Sequence, residues 1–362
     1  MKHIYENNIP KELFDFPVIL YGGGVSGNII KNFLSSRGVQ IKYIVDDDEN
    51  LQGEIIGDVE VISYTRLLDL SKEYKNLNII LATLYGKRIL TKLAPIGNIN
   101  IYDCYDELMK EGWYLKTPRD KIEELKHQLS ALDLEWGDDE SKRVINGIYQ
   151  YIVTKDLNIL VSICTEEEHY FIHEVVAALK QPLEIIDGGA YRGELLQGLK
   201  NNNLKVKKWF CFEADGENYD LLIKYSKKNS LTKDQQICIN KGLWSGTGKI
   251  YFSAGKNAES RVVPYETDNL IETISIDEFI GEGTCNFIKM DIEGSEFPAL
   301  KGGIKTICRE RPVLAISIYH SIEDYWRIPK YLMHELPQYK WYVRHHALVL
   351  SETVLYGIPC EL

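Results

Sequence analysis

The chain has 362 residues, of which 26% are charged and 44% belong to the nine apolar types; Lys plus Arg number 42 against 53 Asp plus Glu, for a formal net charge of −11. This balance excludes wholesale disorder and argues against a protein that grips phosphate backbones, while leaving room for an anionic small ligand at one helix N-terminus. At roughly 150 residues per domain the length suggests two domains. No apolar run approaches the roughly 18–20 residues that cross a bilayer. The opening MKHIYENNIPKELFDF carries Glu6, Glu12 and Asp15 without an apolar core, so no secretory signal is expected. Cysteines 104, 164, 211, 238, 285, 308 and 360 show no CxxC spacing, which suits free thiols in a cytoplasmic protein.

Phe16–Leu20 (FPVIL) is a short apolar run followed by Tyr21-Gly-Gly-Gly-Val-Ser-Gly27, and a helical pattern follows over Val25–Leu34. An apolar run, a glycine turn and a helix open a βαβ unit. Ile41–Val45 reads as the next strand, ending at Asp46-Asp47-Asp48; Glu60–Ser63, Asn78–Thr83 and Asn98–Tyr102 supply further short strands. Arg119–Leu134 and Ser141–Thr154 read as connecting helices split by Trp136–Glu140, with Ser141 as the expected cap. The predicted organisation is an N-terminal Rossmann-like domain over 1–118, a helical linker over 119–154 and a second α/β domain over 155–362. Glu166–Glu174 places His169 and His173 four apart and reads as a solvated helix face; it lacks the HExxH order of a zinc site.

The second domain opens like the first. Leu183–Ile186 precedes Asp187-Gly-Gly-Ala-Tyr-Arg-Gly193, and apolar runs recur at Trp209–Phe212, Ile237–Ile239, Ile250–Phe252, Phe287–Met290, Val313–Ile318, Trp341–Val343 and Val354–Ile358. Helical stretches over Gly216–Lys228, Phe297–Thr306 and Ile322–Leu336 separate many of them. The pattern predicts a mainly parallel, doubly wound sheet with an antiparallel finish.

Three pieces of this domain carry chemistry. The D-x-G-x-x-x-G turn lets backbone approach a ligand and enter a helix whose amides face it. Glu213 ends the next strand twenty residues past Gly193, where a carboxylate commonly holds a ribose diol. In Asn286–Glu296, strand alternation puts Lys289, Asp291 and Glu293 on one side, three charges tolerable only where the strand opens into a cleft. His320 ends the apolar run AISIY, and its ordinary pKa near 6.5 suits base work. The expected order of bases is His320, then Asp291, then Glu293, with Lys289 holding carboxylates in place. Asp291, Glu293 and His320 also carry donor types for Mg²⁺ or Mn²⁺; no metal is assigned and dependence on a divalent ion stays open.

Together these residues resemble the FkbM family of S-adenosylmethionine-dependent methyltransferases. The resemblance rests on Asp187–Gly193, Phe212-Glu213, Thr273–Phe279, Ile288–Glu296 and Leu300-Lys-Gly302, with Ala315–His320, Glu323–Trp326, Ile328-Pro329 and Arg344-His345 matching one branch. Arg192 departs from the smaller or acidic residue often found there. The resemblance implies a class I methyltransferase sheet in which Asp187, Gly188, Gly189, Ala190, Tyr191 and Gly193 line the methionine part of the cofactor, Glu213 holds the ribose, Gly242 and Trp244 border the adenine, and Asp291 contacts the cofactor. The implied reaction is methyl transfer to a hydroxyl of a sugar or glycoside, in surface-polysaccharide or natural-product assembly. The acceptor is then a small molecule or glycan, and a homodimer is the base-rate expectation.

Gly22, Gly24 and Gly27 satisfy G-x-G-x-x-G after a strand, with Asp46 ending the next strand 19 residues beyond Gly27. This segment resembles small Rossmann-like domains attached to sugar-modifying enzymes, through Tyr21–Gly27, Asp46–Asp48 and Gly57–Ser63. A nucleotide or nucleotide-sugar pocket, a scaffold without ligand and an NAD(H) site all stay open for it. The rival functions are an oxidoreductase or sugar-nucleotide enzyme run from the N-terminal domain, and a non-catalytic binding or assembly protein.

Overall fold

The structure is a computed structural model that describes residues 2–4, 9–49, 51–83, 86–104, 118–131, 136–227, 231–253, 261–262 and 270–360. Two compact units emerge. One comprises Met1–Lys116 with Ala347–Val349, the other Thr117–His346 with Leu350–Leu362. Residues 105–117, just before the sequence-predicted boundary at 118, lie outside the described residues, as do the last three residues of the helix expected over Arg119–Leu134.

The first unit is built on strands β1 (Lys2–His3), β2 (Val18–Tyr21), β3 (Ile41–Val45), β4 (Ile55–Ile56), β5 (Val59–Ile62), β6 (Leu77–Leu81) and β7 (Ile99–Asp103). Their order is β1-β7-β6-β2-β3-β5-β4, parallel except for β4 against β5. β2 is buried along its whole length, as a central parallel strand covered on both faces must be. Val18, Leu20, Ile44, Val61 and Ile80 pack against Ile30 and Leu34 of helix Val25–Ser36. The chain runs from β2 to β3 and β5 on one side and returns to β6 on the other, so the topological switch lies at β2, beside its glycine turn.

The second unit contains β8 (Leu183–Gly188), β9 (Val206–Phe212), β10 (Gln236–Ile239), β11 (Gly242–Leu243), β12 (Gly248–Ser253), β13 (Arg261–Val262), β14 (Leu270–Ile274), β15 (Phe287–Met290), β16 (Val313–Ser317), β17 (Tyr339–His345) and β18 (Thr353–Pro359). Among the described residues the main sheet runs β10-β9-β8-β15-β16-β18-β17. The first five are parallel, and β18 joins β16 and β17 antiparallel. The smaller sheet β11-β14-β12-β13 was not anticipated in the sequence. Ile185, Trp209, Phe287, Val313 and Tyr356 form one continuous core with Phe171 and Ile172. No described helix is long and apolar enough to cross a membrane.

Two helix expectations are corrected. The stretch expected as one helix over Phe297–Thr306 is two, Glu296–Lys301 and Ile304–Glu310. The break falls at Gly302, where a Cβ would lie 2.2 Å from the carbonyl oxygen of Trp244, so only glycine fits against that backbone. The cap of helix Asp139–Thr154 is Asp138 rather than Ser141: its Oδ1 accepts the Ser141 amide at 2.8 Å, while Ser141 itself is fully buried and takes the Val343 amide on its Oγ at 2.9 Å.

Candidate functional site

The glycine turn after β8 is assembled by its own backbone. The Gly189 and Ala190 amides both donate to the Phe212 carbonyl, at 3.0 and 2.9 Å, and the Gly193 amide donates to Ala190 at 2.7 Å. Gly189 has φ +69°, and a Cβ there would lie 1.8 Å from the Asp291 carbonyl oxygen. Any side chain at 189 would therefore displace the strand end that carries Asp291. Tyr191 follows with φ +47°, and the Arg192 guanidinium lies 4.8 Å from its ring centroid. The cation that departs from the family pattern is thus laid over its neighbour's ring.

Glu213 directly follows β9 and is nearly buried beside this turn. Its Oε2 accepts the Tyr191 amide at 2.9 Å and its Oε1 the Asp215 amide at 3.0 Å. Each oxygen keeps a further lone pair, the arrangement a vicinal diol requires. Burial raises its pKa, and the two amides pull against that rise. Gly242 stands next to the same strand end, where a Cβ would be 3.7 Å from that of Ala214, and the half-buried Trp244 is anchored by its amide to the Ile274 carbonyl at 3.1 Å.

Asp187 and Lys289 pair with each other behind the turn. Asp187 is 1% exposed, its Oδ2 accepting the Trp209 indole N–H at 3.0 Å and its Oδ1 lying 3.1 Å from Lys289 Nζ. Lys289 Nζ also donates to the Gly188 and Gly189 carbonyls at 3.1 and 2.6 Å and sits 5.2 Å from the Tyr170 ring centroid. Burial works against the ammonium, but Asp187 and Asp291 outweigh it and hold its pKa above the ordinary lysine value. The pair braces the turn from behind.

The three charges expected along one strand are divided by the strand's end. β15 stops at Met290, and only Lys289 lies within it. Asp291 begins the following loop, and Glu293 adopts φ +54° ahead of Gly294 at φ +91°. Asp291 accepts the Tyr170 hydroxyl on Oδ2 at 2.8 Å and the Tyr319 hydroxyl on Oδ1 at 3.1 Å. Burial would raise its carboxyl, but His320, Lys289 and the Tyr170 hydrogen bond hold it below the usual range. His320 lies with Nδ1 3.0 Å from Glu296 Oε1, and its Nε2 is 3.4 Å from Asp291 Oδ1 and 3.6 Å from Glu293 Oε2. Burial opposes its charge, yet the carboxylates of Glu296, Glu293 and Asp291 together raise its pKa well above the ordinary value. An imidazole held protonated in this way is a poor first choice of base. Glu293 is the most open of the group, its carboxyl pushed up to about 8 chiefly by burial and by Asp291 and Glu296, against His320.

The segment read as a solvated helix bearing a histidine pair is a loop. Glu168 and Phe171 form an isolated bridge, Tyr170 has φ +67°, and the helix begins only at His173. His169 stacks on Tyr170 with centroids 3.7 Å apart, and its Nε2 lies 3.3 Å from Glu352 Oε2. Glu352 Oε1 is 3.4 Å from the Tyr319 hydroxyl. The loop thereby delivers Tyr170 to Asp291. Tyr170, Tyr319, Glu296 and Glu352 are site residues that sequence reading did not assign, although Tyr319 and Glu296 lie inside the stretches that drew attention.

In the first unit, Asp46 mirrors Glu213: its Oδ2 accepts the Gly23 amide at 2.6 Å and its Oδ1 the Asp48 amide at 2.8 Å. Gly22 has φ +116° and Gly27 packs against the Gly22 carbonyl, while Gly24 precedes the first turn of helix Val25–Ser36. Tyr21 donates to Asp47 at 3.0 Å, and Lys92 pairs with the same carboxylate at 2.6 Å.

Five parallel strands with an antiparallel pair after β16, and a glycine turn set against a second-strand carboxylate, define the sheet of a class I methyltransferase. Residues 187–343, within the second unit, match the family described as the methyltransferase FkbM domain. The fold is like that of the FkbM methyltransferase from Methylobacillus flagellatus KT, with a TM-score of 0.58 at 22% identity over 96% of this chain and 94% of that one. Smaller likenesses are to an S-adenosylhomocysteine-bound methyltransferase from Podospora anserina (TM-score 0.29, 10% identity, 67% of this chain and 88% of that one) and a UDP-D-quinovosamine 4-dehydrogenase from Vibrio fischeri (0.22, 19%, 26% and 84%). Neither of these two scores supports a comparison. No curated protein matches the chain.

Proposed function

We propose that the second unit transfers a methyl group from S-adenosylmethionine to a hydroxyl of a sugar or glycoside. The observation that carries the cofactor assignment is Glu213: a nearly buried carboxylate at the end of the second strand, organised by the turn's Tyr191 amide and by the Asp215 amide, and keeping acceptor capacity for a ribose diol. The FkbM match supports the methyl transfer, and the sugar acceptor follows from the family resemblance. Gly188 to Gly193 would face the methionine part, with Asp187 and Lys289 fixing the turn's shape rather than touching the ligand. Gly242 and Trp244 would border the adenine.

Bound S-adenosylmethionine supplies a sulfonium methyl, whose C–S bond breaks as the acceptor oxygen forms the C–O bond. The chain's task is alignment, worth up to ~7–11 kcal/mol in well-oriented systems, and removal of the acceptor proton. Glu293 takes that proton in this reading, because it is the carboxylate least enclosed by partners; with its carboxyl pushed up to about 8, it acts as base in the ionised form that grows as pH rises towards 8. Asp291 is held by two phenols, and His320 is held between carboxylates. Calorimetry with S-adenosylhomocysteine tests the cofactor site, and transfer of labelled methyl into glycan extracts tests the acceptor class. A protein that gives no heat with S-adenosylhomocysteine at saturating concentration does not perform this reaction.

For the first unit we infer a nucleotide or nucleotide-sugar site over Gly22, Gly24, Gly27 and Asp46, supported by the self-bonded turn at the switch point of its sheet. Thermal melts with UDP-sugars, GDP-sugars and NAD(H) separate the ligand classes, since a ligand at 100 times its Kd adds about 2.7 kcal/mol of stability.

A further inference from the structure

We propose that Asp291, Glu296 and His320 form a binding site for one divalent first-row cation of the Mn²⁺ type. One donor atom from each residue lies within 4.8 Å of the others. They arrive from three places in the second unit: Asp291 directly after β15, Glu296 at the first position of helix Glu296–Lys301, and His320 just beyond β16.

Two observations beyond proximity point to a ligand. Glu296 is fully buried, and while its Oε1 accepts the Ile292 amide at 2.7 Å, its Oε2 accepts no hydrogen bond. The His320 side chain is 8% exposed, and neither ring nitrogen is aligned for a hydrogen bond with the carboxylates 3.0–3.6 Å away. Buried polar atoms are normally satisfied, and here the unsatisfied ones converge. Charge points the same way. Asp291, Glu293 and Glu296 surround one imidazole, which supplies at most one positive charge, while Lys289 is committed to Asp187 and two carbonyls. Closely grouped buried carboxylates call for a cation.

The donor set selects the ion. Two carboxylate oxygens and one imidazole nitrogen are harder than the sulfur-rich sets of structural zinc, and the imidazole favours Mn²⁺ over Ca²⁺ or Mg²⁺. The Tyr170 and Tyr319 hydroxyls on Asp291 are the outer partners that fix a ligating carboxylate. Binding itself does not depend on the methyl-transfer reading. If that reading holds, the ion would also bind the acceptor oxygen and ease its deprotonation.

The test uses the full chain, treated with chelator and titrated with Mn²⁺ under paramagnetic resonance, without cofactor or acceptor. Wild type should bind one equivalent saturably, and the pulsed spectrum of bound Mn²⁺ should show coupling to an imidazole nitrogen. Glu296→Gln and His320→Gln should each weaken binding at least about tenfold, whereas Glu335→Gln, at an exposed helix end outside the site, should stay within about twofold. Absence of saturable binding, absence of nitrogen coupling in wild type, or unchanged affinity in both ligand variants would overturn the proposal. The nitrogen coupling is read on wild type, so the test survives even if a variant fails to fold. Loss of S-adenosylhomocysteine binding would leave this result untouched.

Discussion

The Lys289 ammonium lies 3.1 Å from the Asp187 carboxylate, a contact between adjacent parallel strands with both side chains almost fully enclosed. Burial raises Asp187, and Lys289 together with the Trp209 indole N–H pulls it back. Lys289→Met should cost about 3–5 kcal/mol in urea denaturation, because it strands a buried carboxylate and frees the carbonyls of Gly188 and Gly189. Adding Asp187→Asn should recover part of that loss. A double variant no more stable than Lys289→Met would mean that the pair does not act as a unit.

Gly189 and Gly193 both have positive φ, at +69° and +84°, but only the first lacks room. A Cβ at 193 meets nothing closer than 3.5 Å. Gly193→Ala should cost about 1–2 kcal/mol from backbone strain alone. Gly189→Ala, with its clash against the Asp291 carbonyl, should cost about 4 kcal/mol or more. Paired thermal melts compare the two, and equal losses would refute the steric account.

Glu213→Gln keeps the shape but replaces one acceptor oxygen with an amide that faces a backbone N–H. S-adenosylhomocysteine affinity measured by calorimetry should fall about tenfold or more, roughly 1.4 kcal/mol. The far-ultraviolet circular dichroism should be unchanged, which distinguishes loss of the tether from loss of the fold.

Arg344 gathers Asp138, Glu174 and Glu167 at 2.6, 3.2 and 3.4 Å. Burial pushes the Asp138 carboxyl up, but hydrogen bonds from Arg344 and Ser141 outweigh it and hold the pKa below the usual value. A depressed carboxylate contributes stability above its unfolded pKa, and the contribution is lost as pH falls through the folded value. Asp138→Asn retains a capping oxygen, so the wild-type advantage of about 1 kcal/mol at pH 7 should shrink once pH drops below about 4. Denaturation at both pH values checks this, and a gap that widens in acid would contradict it.

The central parallel strands were readable because each is a short, mainly apolar run: VILY, FIKM and VLAIS are buried at every position. The glycine turns were readable because apolar run, glycines and helix recur together. What escaped depended on partners distant in sequence. Gly302 ends a helix because of the Trp244 carbonyl, and no local pattern records that approach. Tyr170 reaches Asp291 through a loop with positive φ in a stretch whose residue types suit a helix. Strand alternation grouped Lys289 with Asp291 and Glu293 on one side, but it could not tell that the strand stops at Met290 or that Lys289 braces a turn through Asp187.

Glu213 and Asp46 each already grip an amide of their own glycine turn, Tyr191 in one unit and Gly23 in the other. A turn cross-tied in this way arrives prefolded. A ligand docking against either one would spend none of its interaction energy on ordering backbone, so the heat-capacity change on binding should scale with the surface the ligand covers.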